Sequence, residues 1–218
     1  MHIPDGFIAP KMYLPAYAAA AGLWSYGLKK VRSEIDEETL PRIAVMTAFS
    51  FVLMMVMLPL PGGTSAHAAG AALLAILFGV WMCFLCVSMV LLLQAFLFGS
   101  GGVTSLPVNA LALGLAGGAV AVLAFKLLAG INRKVALFVA GWLSINTAAF
   151  LLALALGLQP EIARREDGTP LFFPFGLSVT VPALMLPHAI VGVGEGILTV
   201  LIYHSFRKLT GNGGESPQ

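Results

Sequence analysis

Charge is what this sequence has least of. Of 218 residues, 12 are Lys or Arg and 10 are Asp or Glu. That is 10% charged residues, against roughly 25% in an ordinary soluble domain. So few ionisable groups cannot cover a soluble chain of this length with a polar skin. A net charge of +2 is too small to mark a nucleic-acid binder. The two cysteines, Cys83 and Cys86, exclude a disulfide framework. Catalytic signatures are absent too: there is no P-loop for ATP, no HExxH metalloprotease pair, no GxSxG nucleophile and no ladder of carboxylates for proton-driven exchange. The opening MHIPDGFIAP lacks the basic stretch and apolar run of a cleavable signal peptide, so the native N-terminus is expected to survive.

What the sequence does have is apolar residues, 59% of the chain, with a mean hydropathy of +0.93. This composition belongs in a bilayer. Apolar stretches run over about 14–31, 41–58, 66–98, 105–130, 134–157 and 178–206. The stretch 66–98 is long for one span and short for two, since a span takes about 20 residues. Breaking it at Gly79 gives seven helices. Lys29, Lys30, Arg32, Arg42, Lys126, Arg133, Lys134, Arg207 and Lys208 then share one side, and only Lys11, Arg164 and Arg165 lie on the other. Leaving it whole divides the basic residues evenly. The positive-inside bias therefore selects an all-α membrane protein of seven transmembrane helices, with the N-terminus outside and the C-terminus cytoplasmic. Residues 1–210 read as one domain, whose first 13 residues form a leader, and 211–218 read as a disordered polar tail. The acidic inner loop 32–40 is expected to be a solvated connection, and the outer loop 158–177 a lid or structured loop.

The polar exceptions carry the chemistry. Glu195 is the one acidic residue in mid-span, and His188 precedes it by two helical turns. Two readings stand for this pair: an internal hydrogen-bond network in a helix bent by Pro182 and Pro187, or a direct role at a substrate. His67 sits in PGGTSAH, where Gly62 and Gly63 permit a tight turn, Thr64 or Ser65 is expected to cap a helix, and the imidazole follows one turn in. The segment from Gln94 to Asn109 is a Gly-rich polar island, either a capped hairpin or a support for a metal site. The CxxC of Cys83 and Cys86 lies among large apolar residues and reads as core or lipid-facing.

The N-terminus adds a chelate. The amine of Met1, the amide nitrogen of His2 and its Nδ1 close a five- and a six-membered ring on one ion, both low in strain. A further imidazole, for instance His67, completes a square-planar set of four nitrogens. That geometry suits Ni(II) or Cu(II), whereas Zn(II) prefers a tetrahedron and Mg(II) or Ca(II) prefers oxygen. Binding through a deprotonated amide weakens as pH falls. Pro4 stiffens the leader, Asp5-Gly6 turns it, and Phe7 and Ile8 are apolar, so it is expected to fold back between helices.

Four motifs carry a resemblance: MHIPDGF at 1–7, PGGTSAH at 61–67, QAFLFGSGGVTSLPVN at 94–109 and HAIVGVGEGILT at 188–199. They are similar to those of the substrate-binding membrane component, of NikM/CbiM type, in nickel/cobalt energy-coupling factor (ECF) transporters. DGTPLFFPF in the outer loop resembles the short, nickel-type members. The sequence departs from the family pattern at Pro107, where Gly is expected, and at Val80, where Pro is expected after Gly79.

The resemblance implies a six-helix core with an extra N-terminal helix, and a leader that inserts into that core. It implies Met1, His2 and His67 as ligands of a transported Ni(II) or Co(II), with no ATP site in this chain. Ser65, Gln94, Asn109, His188 and Glu195 are candidates for the surrounding shell. It also implies a membrane coupling component, two cytosolic ATPases and a small accessory membrane protein as partners. Ala44 and Ala48, spaced as AxxxA, mark the docking helix. Two rivals stand beside this reading: an ECF component for an organic, vitamin-like cargo, with structural histidines, and an intramembrane enzyme built on His188 and Glu195.

Overall fold

The computed structural model describes residues 2–60 and 64–209. The Met1 amine, the Gly62–Gly63 turn and the 211–218 tail therefore lie outside the described residues. Helix α1 (Pro10–Val31) starts four residues earlier than the apolar run near Leu14 suggested, because Pro10 takes a first-turn position that needs no N–H. Lys29 and Lys30 complement the dipole in its last turn. In the acidic connection the Asp36 carboxylate accepts from Glu38 N and Thr39 N at 3.1 and 2.7 Å, and α2 (Thr39–Met55) follows.

The next segment differs from the expected helix entrance. Thr64 and Ser65 stand in a strand and not at a helix N-terminus. Strands β1 (Leu58–Leu60) and β2 (Thr64–Ala66) pair antiparallel, with Pro59 opposite Ser65. His67 follows outside any helix or strand, and α3 (Ala71–Phe78) begins only after Gly70, whose φ of 67° turns the backbone. Pairing with the apolar 58–60 segment satisfies backbone groups that a helix cap would otherwise have served.

The break at Gly79 is present, with φ 87° and ψ 161°. It is made without the expected proline, because a positive φ suffices. Helix α4 (Val80–Phe98) follows. Then come α5 (Leu106–Ala110), a π-helical segment (Leu111–Ala116) and α6 (Gly117–Leu128) as one continuous rod. Pro107 is accommodated in the first turn of α5. Helix α7 (Arg133–Gly157) is capped by the Asn132 side chain, which accepts from Lys134 N and Val135 N. A single turn, α8 (Gln159–Ile162), and the long α9 (Leu177–Leu209) complete the chain.

Among the described residues, four helical rods are long and apolar enough to cross a bilayer: Val80–Phe98, Leu106–Leu128, Arg133–Ile162 and Leu177–Leu209. Helix α2 is apolar but shorter, and α3, at eight residues, is about 12 Å long. Helices α7 and α9 pack closely because glycines face the partner. A Cβ on Gly141 would lie 2.9 Å from Gly196 Cα, and one on Gly192 would lie 2.6 Å from Asn146 Nδ2. Outward-facing Leu127, Leu186, Ile190 and Phe96 are each about 70% exposed, a belt that suits hydrocarbon better than water. Cys83 is buried and donates to Ala71 O and Gly114 O, and both cysteines are free, in keeping with the packing role expected of them.

Candidate metal centre

The leader folds back as its Pro, Asp-Gly and apolar residues suggested. Ile3, Ile8 and Ala9 are buried. Its backbone is clamped by the polar island. Asn109, in α5, accepts from Ile3 N at 3.0 Å and donates through Nδ2 to Ile3 O at 3.1 Å, a two-bond amide pair. Ser105 Oγ also donates to Ile3 O, so it anchors the leader and caps no helix. The Asp5 carboxylate accepts from Val103 N, Thr104 N and the Thr104 hydroxyl. On the far side Gln159 accepts from Ala9 N at 2.8 Å. Phe173 of the outer loop packs on Phe7, with ring centroids 5.6 Å apart. The 158–177 loop is thus a structured cover over the leader.

The clamp brings His2 against His67. Their ring centroids are 4.5 Å apart at an interplanar angle of 40°, and both residues are buried. Burial pushes both imidazoles well below the usual histidine range, so both are neutral near pH 7. The His67 tautomer is fixed by chemistry. Its Nδ1 lies 2.9 Å from Ala68 O, which can only accept, so Nδ1 carries the proton and Nε2 holds the lone pair. For His2, Nδ1 lies 3.2 Å from Ser100 Oγ. The same Ser100 hydroxyl lies 3.5 Å from Met57 Sδ. Neither Nε2 has a hydrogen-bond partner among the described residues. Two neutral, desolvated nitrogen donors held against each other are a ligand pair for a borderline transition metal. Among the described residues no three His, Cys, Asp or Glu side chains gather as a ready-made cluster, so further donors have to come from elsewhere.

The remaining expected residues surround this pair in different ways. Ser65 donates to Met57 Sδ at 3.7 Å and so reaches Ser100 through the thioether. Gln94 is buried, donates to Phe51 O, and leaves Oε1 without a partner among the described residues. His188 Nδ1 lies 2.7 Å from Leu184 O, and the ring is within electrostatic reach of His67. Glu195 bonds the backbone beside His67 and makes no hydrogen bond to His188: Ala69 N and Gly70 N each donate to it at 2.8 Å. Ala44 and Ala48 are remote from the pair and line an exposed apolar groove of about 440 Å³ between α2 and α4. Ser100 and Gln159 are not singled out by the sequence. Asp5 had been read only as a turn former, and Gln159 stands alone in the outer loop with no motif around it.

A family model described as the cobalt uptake substrate-specific transmembrane region, CbiM, matches residues 2–211. The chain belongs to the CbiM family. It is 39% identical over 206 residues to the fused nickel transport protein NikMN of Rhodobacter capsulatus, covering 91% of this chain and 59% of that one. Identity to the probable fused nickel transport protein LarMN of Lactiplantibacillus plantarum is 37% over 213 residues, covering 96% of this chain and 65% of the relative. The chain thus spans about three-fifths to two-thirds of the length of these two relatives. Against the cobalt transport protein CbiM of Salmonella typhimurium the identity is 30%, covering 95% and 84%. A crystal structure of a truncated transition metal transporter superposes on this CbiM-family chain with a TM-score of 0.91 at 36% identity, covering 97% of this chain and 99% of that one.

Proposed function

We propose that this chain is the substrate-binding component of an ATP-driven ECF transporter that takes up Ni(II), in preference to Co(II), across a prokaryotic cell membrane. The observation that carries the reading is the buried His2–His67 pair, in which neither Nε2 has a hydrogen-bond partner among the described residues. The ion is the cargo, and the chain catalyses no bond chemistry. Seven membrane segments, α1, α2, α3, α4, the α5–α6 rod, α7 and α9, run from an outer N-terminus to a cytoplasmic C-terminus in one domain over 1–210. A coupling component docks on the Ala44–Ala48 groove. Two ATPases, with a small accessory membrane protein, drive release inward.

In the bound state the Met1 amine, the His2 amide and imidazole, and His67 form a square-planar set. The chelate through His2 Nδ1 requires the ring to leave Ser100 and turn about Cβ–Cγ, because Ser100 holds Nδ1 in this structure. A dehydrated ion among four nitrogens is selected against Mg(II) and Ca(II), which favour oxygen.

The test is elemental mass spectrometry on the chain purified with a free N-terminus. About one nickel or cobalt per chain, absent from His2→Ala, supports the site. A metal-free wild type with a demonstrably free amine would instead favour an organic cargo and make both histidines structural.

A further inference from the structure

His188 stands on the buried stripe of α9, in line with Leu184, Gly192, Glu195 and Thr199. Its tautomer is set within its own helix. Nδ1 lies 2.7 Å from Leu184 O, one turn back, and a carbonyl can only accept, so Nδ1 carries the proton and Nε2 the lone pair. That nitrogen is buried, with no hydrogen-bond partner among the described residues. A buried acceptor left unpaired calls for a reason. The internal network expected of His188 and Glu195 is not formed, because the Glu195 oxygens accept from Ala69 N and Gly70 N. Those same two bonds lay the chain after His67 along α9. Glu195 is about 10 Å beyond His188 along the helix, and the path from Ala69 back to His67 spans at most about 7 Å. The imidazoles of His67 and His188 are within electrostatic reach of each other.

We infer that His188 is a further donor to the transported ion, which it holds together with His67 while the donors of the leader come on or off. Resting on the cargo reading proposed above, this donor stands outside the square-planar set. Three nitrogens of that set belong to Met1 and His2, so an ion leaving the chelate loses most of its bonds unless another donor stands by. His67 and His188 are carried by the bundle and stay in place when the leader moves. A planar ion is open above and below its plane, and a neutral imidazole is a suitable entering ligand for Ni(II) or Co(II). The bond from His188 Nε2 forms as a bond to the leader breaks, and the His2 amide nitrogen recovers its proton from water. Loading runs through the same steps in reverse.

Co(II) titration of the full chain in detergent tests it, after acetylation of the N-terminal amine has removed the chelate, with the visible ligand-field absorption of Co(II) as the readout. A weak site for one ion is expected, and its affinity should fall roughly tenfold in His188→Asn. The asparagine amide can replace Nδ1–H toward Leu184 O but has no counterpart of Nε2, so it rescues a histidine that is only structural and not one that is a donor. The exposed His204, farther along α9, supplies the control, and His204→Asn should leave the affinity unchanged. In the chain with a free amine, transfer of nickel to an excess of chelator should slow roughly tenfold in His188→Asn at unchanged equilibrium affinity, since a donor used only between states sets the rate. The melting midpoint in the same detergent checks the fold of the variant. A blocked wild-type chain that binds no Co(II) overturns the inference without recourse to any variant, and so does a Co(II) affinity unchanged in folded His188→Asn. Tight nickel binding by the free-amine chain beside either of those results leaves the cargo reading standing. A free-amine chain that binds neither metal ends both.

Discussion

Glu195 holds Gly70 in place: its carboxylate accepts the Gly70 backbone N–H at 2.8 Å, and the neighbouring Ala69 N–H at the same distance. The first N–H groups of a helix have no partner within it, and α3 begins at the very next residue. A carboxylate from α9, distant in sequence, thus serves the entrance that Thr64 and Ser65 were expected to cap. It also fixes the turn at Gly70, three residues beyond His67. On the proposed site this makes Glu195 a positioning residue, acting on His67 through the backbone. Glu195→Gln keeps one acceptor oxygen and leaves one N–H unpaired, at a cost of about 1–3 kcal/mol. Nickel affinity, measured by competition with a chromophoric chelator, should fall roughly 10- to 100-fold, as it does when the support of a metal ligand is removed. Unchanged affinity in a folded Glu195→Gln protein would remove that role.

Removing a donor nitrogen should act more severely than removing its support. His67→Ala is expected to lose bound nickel at all practical concentrations while retaining helical circular dichroism. Chemical acetylation of the N-terminal amine should do nearly the same to the wild type. Tight nickel binding by an N-terminally blocked protein would show that the square-planar chelate is wrong.

Gly102 tests the clamp. A Cβ there would lie 2.3 Å from Asp5 Oδ1 and 2.4 Å from Asp5 N, with no flexible side-chain end to give way at the backbone atom. Gly102→Ala should expel the leader, with a penalty of about 1–3 kcal/mol for overpacking. Hydrogen exchange at Ile3 and Asp5 should accelerate, and nickel affinity should fall. Gly22→Ala, with nothing within 4 Å of the new carbon, is the matched control. It should stabilise α1 by roughly 0.5–1 kcal/mol.

Acid should release the leader through Asp5. Partial burial alone would raise its pKa, but hydrogen bonds from the Thr104 hydroxyl and the backbone of Val103, Thr104 and Ser105 outweigh it and hold the carboxyl below the ordinary value of 3.8. A depressed carboxyl pKa stabilises the docked state fully above the undocked value. That contribution is lost as pH falls through the docked one. Hydrogen exchange at the Thr104 amide, compared between pH 6 and pH 3, should show the loss. Asp5→Asn should show weakened docking already at pH 6.

The leader's return, the break at Gly79 and the polar island were legible because each has a local signature: a stiff Pro-Asp-Gly run, a glycine inside an apolar stretch, polar residues where none belong. The pairing of Leu58–Leu60 with Thr64–Ala66 was hidden, since an apolar Leu-Pro-Leu reads equally well as the end of a span. The partner of Glu195 was hidden for a different reason. A backbone N–H looks the same in every residue, so no sequence pattern marks which one a buried carboxylate will meet. Ser100 and Gln159 fall in the same class, because their hydrogen bonds go to a ring nitrogen and a main-chain amide in the leader. The orientation of the His2 ring could not be foreseen, because it turns on a serine 98 residues away.

The leader is synthesised before the residues that seat it. His2 meets Ser100 only after 98 residues have followed it, and Ala9 meets Gln159 only after 150. At ribosomal speeds of about 5–20 residues per second, that second anchor arrives roughly 8–30 s later. Until then Ala9 lacks its anchor, although Ile3 and Asp5 can already meet residues 103–109. Translation that stalls before α8 leaves both imidazoles without their full setting, so a competent centre certifies that nearly the whole bundle has been made.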